Sequence, residues 1–230
     1  PPSPVHPPPA LAACGCRPAA AAPSPPRAPR LAYLTRDYLA EFSMSVLGMQ
    51  RERDPNAGYA REFVEVVRSL IPYWSSGGGC RVVTNAGGLN PQGCAEACRA
   101  ILAESGCRSL KIGIVTGDDV LELVRAAANT SSPDFQNLDT GAKLHDVRDR
   151  LVTANAYLGA SPIVEALAAE ADIVITGRVA DPSLVVAPCI HHFGWSENEL
   201  DRLACATVAG HLIECGTQVT GGISTDWLDI

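Results

Sequence analysis

The group with the clearest chemical potential in this chain is an arginine placed directly after an apolar run. Thr176-Gly177-Arg178-Val179-Ala180-Asp181-Pro182 follows Asp172-Ile173-Val174-Ile175. A guanidinium at such a boundary is costly to bury unless it is paired or holds an anion. Arg178 can clamp a carboxylate or phosphate through two parallel N–H donors. The alternative is an ion pair with Asp181, three residues on. Asp181 is also a candidate general base, and Thr176 a candidate substrate contact.

Three further strings have the same character. In Thr84-Asn85-Ala86-Gly87-Gly88-Leu89-Asn90-Pro91, Gly87 and Gly88 let the backbone approach a ligand. The helix start at Asn90 offers N–H groups for an anion or a carbonyl, and Asn85 adds a side-chain donor. A tight turn with an N-cap explains Gly88, Asn90 and Pro91 equally well, and Asn85 less readily. In Thr116-Gly117-Asp118-Asp119, adjacent carboxylates can hold a metal or share a proton. Asp118 as a helix cap is the simpler reading. In Asn155-Ala156-Tyr157-Leu158-Gly159, Asn155 and Tyr157 can orient a substrate oxygen, and a buried tyrosine with a satisfied hydroxyl is the alternative. Near the end, His211 and Cys215 are four apart on one helix face. They can act as a thiol–imidazole pair or as neighbouring ligands. Two ligands do not make a zinc site, so no metal is assigned, and no cofactor is identifiable.

The elements that must position these groups alternate. Leu31–Leu34, Arg81–Thr84, Leu110–Val115 and Asp172–Thr176 read as strands. Leu151–Tyr157 reads as extended. Between them lie amphipathic stretches. Tyr38, Phe42, Val46 and Met49 fall at helical spacing, as do Tyr59, Phe63, Val66, Val67 and Leu70. Asn90-Pro91, Asp118, Ser161-Pro162 and Asp181-Pro182 open helices, and Pro188 should kink or end the last of these. Ser196-Glu197-Asn198-Glu199 is a capping box before a helix carrying Leu200, Leu203 and Leu212. Such alternation predicts an α/β fold, a parallel Rossmann-like sheet with helices on both faces. Ligands of such sheets bind beyond the carboxyl ends of the strands, where these strings converge.

Residues 1–30 differ in kind. They contain eleven of the eighteen prolines and no acid, and are expected to be disordered. A targeting segment, a Pro-rich linker and non-native sequence joined to a truncated chain are the three readings. The last is preferred, since no Met opens the chain. Residues 31–230 then form one domain. The net charge of −7 disfavours nucleic acid, the more so because Arg17, Arg27 and Arg30 lie outside that domain. The nine cysteines are odd in number and show no CxxC pair, so Cys94 and Cys98 read as core residues. No apolar run reaches the roughly 18 residues of a membrane span. A reducing, intracellular and cytoplasmic location is expected, with organelle targeting by residues 1–30 as the alternative. Asn129-Thr130-Ser131 matches a glycosylation sequon and is read as chance. No dinucleotide or P-loop fingerprint is present, which counts against an NAD(P)-dependent oxidoreductase.

Several strings together resemble the acyclic terpene utilisation family, N-terminal (AtuA-type) domain. They are Asp37-Tyr38-Leu39-Ala40-Glu41, Arg53-Asp54-Pro55, Thr84 to Pro91, Ala154 to Ala160, Ala171 to Asp181, Gly210 to Gly216, and Thr220-Gly221-Gly222 with Asp226-Trp227. The resemblance spans residues 31–230. It implies breakdown of acyclic terpenes through acyl-CoA intermediates, but no particular reaction and no catalytic residue. Family members place a strand and a glycine-rich turn before the Asp37 motif and continue past Asp226-Trp227. The chain is therefore read as cut at both ends, its sheet lacking a strand. The expected function is an enzyme domain acting on a branched-chain acyl-CoA or related carboxylate, with Asp181 or Asp118 as base. The alternatives are a non-catalytic binding or scaffold subunit and a non-functional fragment. A homo-oligomer or an additional C-terminal domain is compatible with this reading.

Overall fold

In the computed structural model the chain is described at residues 10–14, 31–128, 135–216 and 219. The sequon at Asn129 and the Thr220 and Asp226-Trp227 motifs lie outside these residues. Five parallel strands, β1 (Ala10–Cys14), β2 (Leu31–Arg36), β3 (Arg81–Thr84), β4 (Ile112–Val115) and β5 (Ile173–Thr176), form one sheet in the order β1-β2-β3-β5-β4. The α/β expectation holds.

β1 lies inside the segment expected to be disordered. Ala10–Cys14 is a proline-free stretch between Pro9 and Pro18, so the missing N–H groups that bar proline from a sheet do not occur within it. It pairs with β2, and the sheet position expected to be empty is filled.

Seven α-helices follow: α1 (Glu41–Arg53), α2 (Glu62–Ser75), α3 (Pro91–Glu104), α4 (Leu121–Ala127), α5 (Ser161–Ala168), α6 (Ser183–Phe193) and α7 (Leu200–Cys215). A 3-10 helix, Leu144–Arg150, lies in the polar stretch read as loop. The strand period of two splits the core into two layers. Val82, Ile173 and Ile175 face α2 and α3, where Phe63, Val67, Cys94 and Cys98 are fully buried. Val83, Val174 and Tyr33 face the opposite layer, with Ile163 and Leu167 of α5 and Leu184 of α6. Each fully buried large side chain contributes roughly 1.5–3 kcal/mol. The cysteines from Cys80 to Cys215 are free thiols.

Three expectations change here. The buried face of α1 is Met44 and Leu47, packed with Leu39 and Leu89, whereas Phe42 is 78% exposed. The spacing of Phe42, Val46 and Met49 is helical, but that side does not meet the sheet. Pro188 neither ends α6 nor stands at its end. Residues Ser183 to Pro188 are all buried, and this packing outweighs one lost backbone bond, so the helix runs on to Gly194 at φ 64°. In α7 the buried contacts are Ala206 and Gly210, while Leu200 and Leu212 are exposed. A Cβ at Gly210 would lie 3.0 Å from the Pro182 carbonyl oxygen, so α7 rests against the start of α6 through this glycine.

Candidate functional site

The chain leaves β3 toward α3 on one face of the sheet and leaves β5 toward α6 on the other. β3 and β5 are neighbours, so their outgoing loops part and open a crevice at the carboxyl edge. The right-handedness of parallel crossovers produces this. The step from β3 to β4 and the step back to β5 run in opposite directions, so α3 and α5 must lie on opposite faces.

Arg178 holds the crevice together. It is 2% exposed. Its guanidinium donates to the Leu39 carbonyl, pairs with Asp181 at 3.2 Å and stacks 4.1 Å from the centroid of Tyr157. Its backbone N–H donates to Asp118 Oδ2 at 2.7 Å, and the Asn155 amide donates to the same oxygen at 2.8 Å. The loops after β2, β4 and β5 and the segment around Asn155 are thus joined by one buried cation and one buried anion.

That geometry reassigns several sequence candidates. Asp118 is 4% exposed and its carboxylate is engaged by Arg178 and Asn155, so it joins loops instead of serving as a base. Asp118 does not cap α4 either; Asp119, just before the helix, accepts from Leu121 N–H at 3.1 Å. The expected N–H cradle at Gly87 and Gly88 is spent on the protein. Ala86 N–H goes to Thr84 Oγ1, Gly88 to Asn85, Leu89 to Gly58 and Asn90 to Gly87. Gly87 is needed for packing, because a Cβ there would stand 2.5 Å from the Thr176 carbonyl oxygen. Asn90 caps α3 through Gly93 N–H and donates to Asn56 and Ala57. The Thr176 hydroxyl is buried and bonded to the Gly177 carbonyl.

Asn85 is fully buried. Its oxygen accepts from Tyr38 N–H at 2.8 Å and its amide donates to Asp37 Oδ1 at 2.6 Å. It therefore aims Asp37, a residue to which the sequence reading gave no role. Carboxylate oxygens of Asp37, Asp181 and Glu214 lie within 4.8 Å of one another. Glu214 also stands within that distance of ligand atoms of His211 and Cys215. Only His211 and Cys215 of this group were visible as a pair, at i and i+4. Glu214 lies between them in sequence, and its meeting with Asp37 and Asp181 is purely tertiary.

In that pair the thiol is turned toward Glu214. Cys215 Sγ donates to Glu214 Oε2 at 2.9 Å and stands 3.9 Å from His211 Nε2. The hydrogen bond to Glu214 and burial, with the charges of Glu214, Asp181 and Asp37, push the thiol up to about 11. A protonated thiol is a poor nucleophile at neutral pH.

Between α1 and the start of α2 lies a cavity of about 600 Å³. Phe42, Val46, Leu47 and Tyr59 form apolar walls, and Arg53 and Arg61 stand among the lining residues. Tyr38 is among the lining residues, and its N–H is held by Asn85 next to Asp37. Phe42 and Val46, which turn away from the core, thus line the cavity together with the buried Leu47.

Among the described residues no helix is long and apolar enough to cross a membrane. A family model described as acyclic terpene utilisation family protein AtuA matches residues 12–230. The match begins inside β1. No curated protein and no solved structure matches the chain.

Proposed function

The chain belongs to the acyclic terpene utilisation family, and from that premise we propose that it is an enzyme domain acting on a branched, acyclic carboxylic acid carried as its coenzyme A thioester. The observation that carries this reading is an apolar cavity whose lining includes Tyr38, the chain neighbour of Asp37 in the carboxylate cluster. About 600 Å³ falls within the ordinary range of small-molecule pockets, and its walls suit a methyl-branched chain. Arg53 and Arg61 provide positive charge for the phosphates of the carrier.

Asp181 is the proton acceptor in this reading. It is half-buried, it is held by Arg178, and it faces Asp37 and Glu214. Arg178 acts as a positioning residue that sets Asp181 against Leu39 and Tyr157.

Thermal melting with branched acyl-CoAs, free branched acids and NAD(P) tests the reading. A ligand at 100 times its Kd adds about 2.7 kcal/mol, or roughly 5–10 °C for a chain of this size. A shift by an acyl-CoA that Phe42→Ala reduces is the expected result. No shift by any acyl-CoA refutes it, and a shift without turnover supports a non-catalytic binding subunit.

A further inference from the structure

We propose that His211, Glu214 and Cys215 of α7, with Asp37 after β2, bind a single divalent cation of the zinc class. The inference rests on the functional site lying at this sheet edge, and does not depend on the identity of the acyl group.

The donors are mixed: an imidazole, a thiol and two carboxylates. Magnesium and calcium prefer all-oxygen shells, whereas nitrogen and sulfur donors select zinc and its neighbours. Positions 211, 214 and 215 are spaced i, i+3 and i+4, so one helix turn presents all three on one side. Their ligand atoms lie within 4.8 Å of one another, and those of Asp37, Asp181 and Glu214 do so as well. Glu214 is common to both groups, so it links the helix triad to Asp37 after β2. Around tetrahedral zinc neighbouring ligand atoms stand roughly 3.4 Å apart, so modest side-chain rotation closes the site.

Two further observations point the same way. The Thr35 hydroxyl is 2% exposed and has no hydrogen-bond partner among the described residues. Thr35 pairs with Val83, whose side chain belongs to the α5–α6 layer, so Thr35 faces that layer too. It sits two residues before Asp37, at the carboxyl end of β2. An unpaired buried hydroxyl is a natural partner for an ion-bound water or an outer contact to a ligating carboxylate. Cys215 is also the last residue of α7. The carbonyl end of a helix carries partial negative charge, which favours a cation there.

The ion displaces the Cys215 proton from Glu214, so the thiolate forms only when metal binds. The test uses the full chain with Co2+ and Zn2+ as probes. One Co2+ per chain, with thiolate-to-metal charge-transfer absorption that Zn2+ removes, is expected. Cys215→Ser should abolish that absorption, Glu214→Gln should weaken Zn2+ at least tenfold, and Cys205→Ser, an exposed thiol on the same helix, should change neither. No stoichiometric binding, or binding indifferent to both Cys215→Ser and Glu214→Gln, overturns the proposal. Where Cys215→Ser fails to fold, absorption that survives unchanged in Glu214→Gln overturns it equally. An acyl-CoA shift in a chain that binds no metal removes this inference and leaves the proposed function standing. Metal binding without any acyl-CoA shift does the reverse.

Discussion

Replacing Arg178 with alanine separates two roles that the sequence left open. The side chain is buried, and its removal strands the Leu39 carbonyl, leaves Asp181 without its 3.2 Å cation and uncovers the Tyr157 ring. A hydrogen bond from a charged donor contributes about 1.5–3 kcal/mol, and stacking on an aromatic face about 0.5–2 kcal/mol. Asp181 rehydrates in part, because its side chain is 29% exposed, which lowers the cost of losing its partner. The expected loss is therefore about 4 kcal/mol, inside the roughly 3–5 kcal/mol seen when one partner of a buried pair is removed. Urea unfolding followed by far-UV circular dichroism should show a lower midpoint with an unchanged m-value. Arg178→Lys should recover only part of the loss, since an ammonium keeps the charge but not the planar fork. A loss of less than about 1 kcal/mol, together with abolished acyl-CoA binding, would refute the positioning role and restore the anion clamp.

Three more outcomes follow from the geometry. Asn85→Ala removes two buried hydrogen bonds and should cost about 2–3 kcal/mol in urea unfolding; it should also weaken Zn2+, because Asp37 is no longer aimed. Gly87→Ala places a Cβ against the Thr176 carbonyl oxygen and Pro91, which cannot yield as a flexible side chain would, and should cost at least about 2 kcal/mol by the same measurement. His191 should make the fold acid-sensitive. Burial, the Arg81 charge and His192 hold its imidazole below the usual value, so the unfolded chain takes up the proton first as pH falls. The stability it contributes is present above about pH 6.5 and is lost as pH drops through its folded value. His191→Asn should flatten the stability profile between pH 7 and 5, and an unchanged slope would contradict the assignment. Arg81 can only donate, so Nε2 of the neutral ring accepts from it and Nδ1–H faces the Tyr33 hydroxyl.

The layout of strands and helices was legible because punctuation residues mark it. Asn90-Pro91 and Ser161-Pro162 open α3 and α5 where expected. β1 was hidden because eleven prolines dominate the composition around five residues that contain none. The inward side of α1 was misread because Phe42, Val46 and Met49 share a helical spacing that the Leu39, Met44 and Leu47 contacts override. The edge of the sheet at which the candidate residues meet was legible from parallel topology alone. What each polar residue does there was not. Asn90, Asp118 and Asn155 look like ligand contacts until their hydrogen bonds are traced into neighbouring loops. Asp37 and Glu214 lie 177 positions apart, and only the packing of α7 on the start of α6 brings them together.

That packing has a mechanical consequence. Gly210 touches Pro182, the residue after Asp181, and Glu214 lies one turn further along the same helix, about 6 Å of rise away. The contact works as a fulcrum. Whatever lifts α7 at Gly210 moves the Glu214 end away from the strand ends while leaving every donor chemically intact. The helix half of the site and the sheet half can therefore be uncoupled by bulk at a position that touches neither substrate nor ion, and a variant at 210 would behave in every assay of the site as though Glu214 itself were missing.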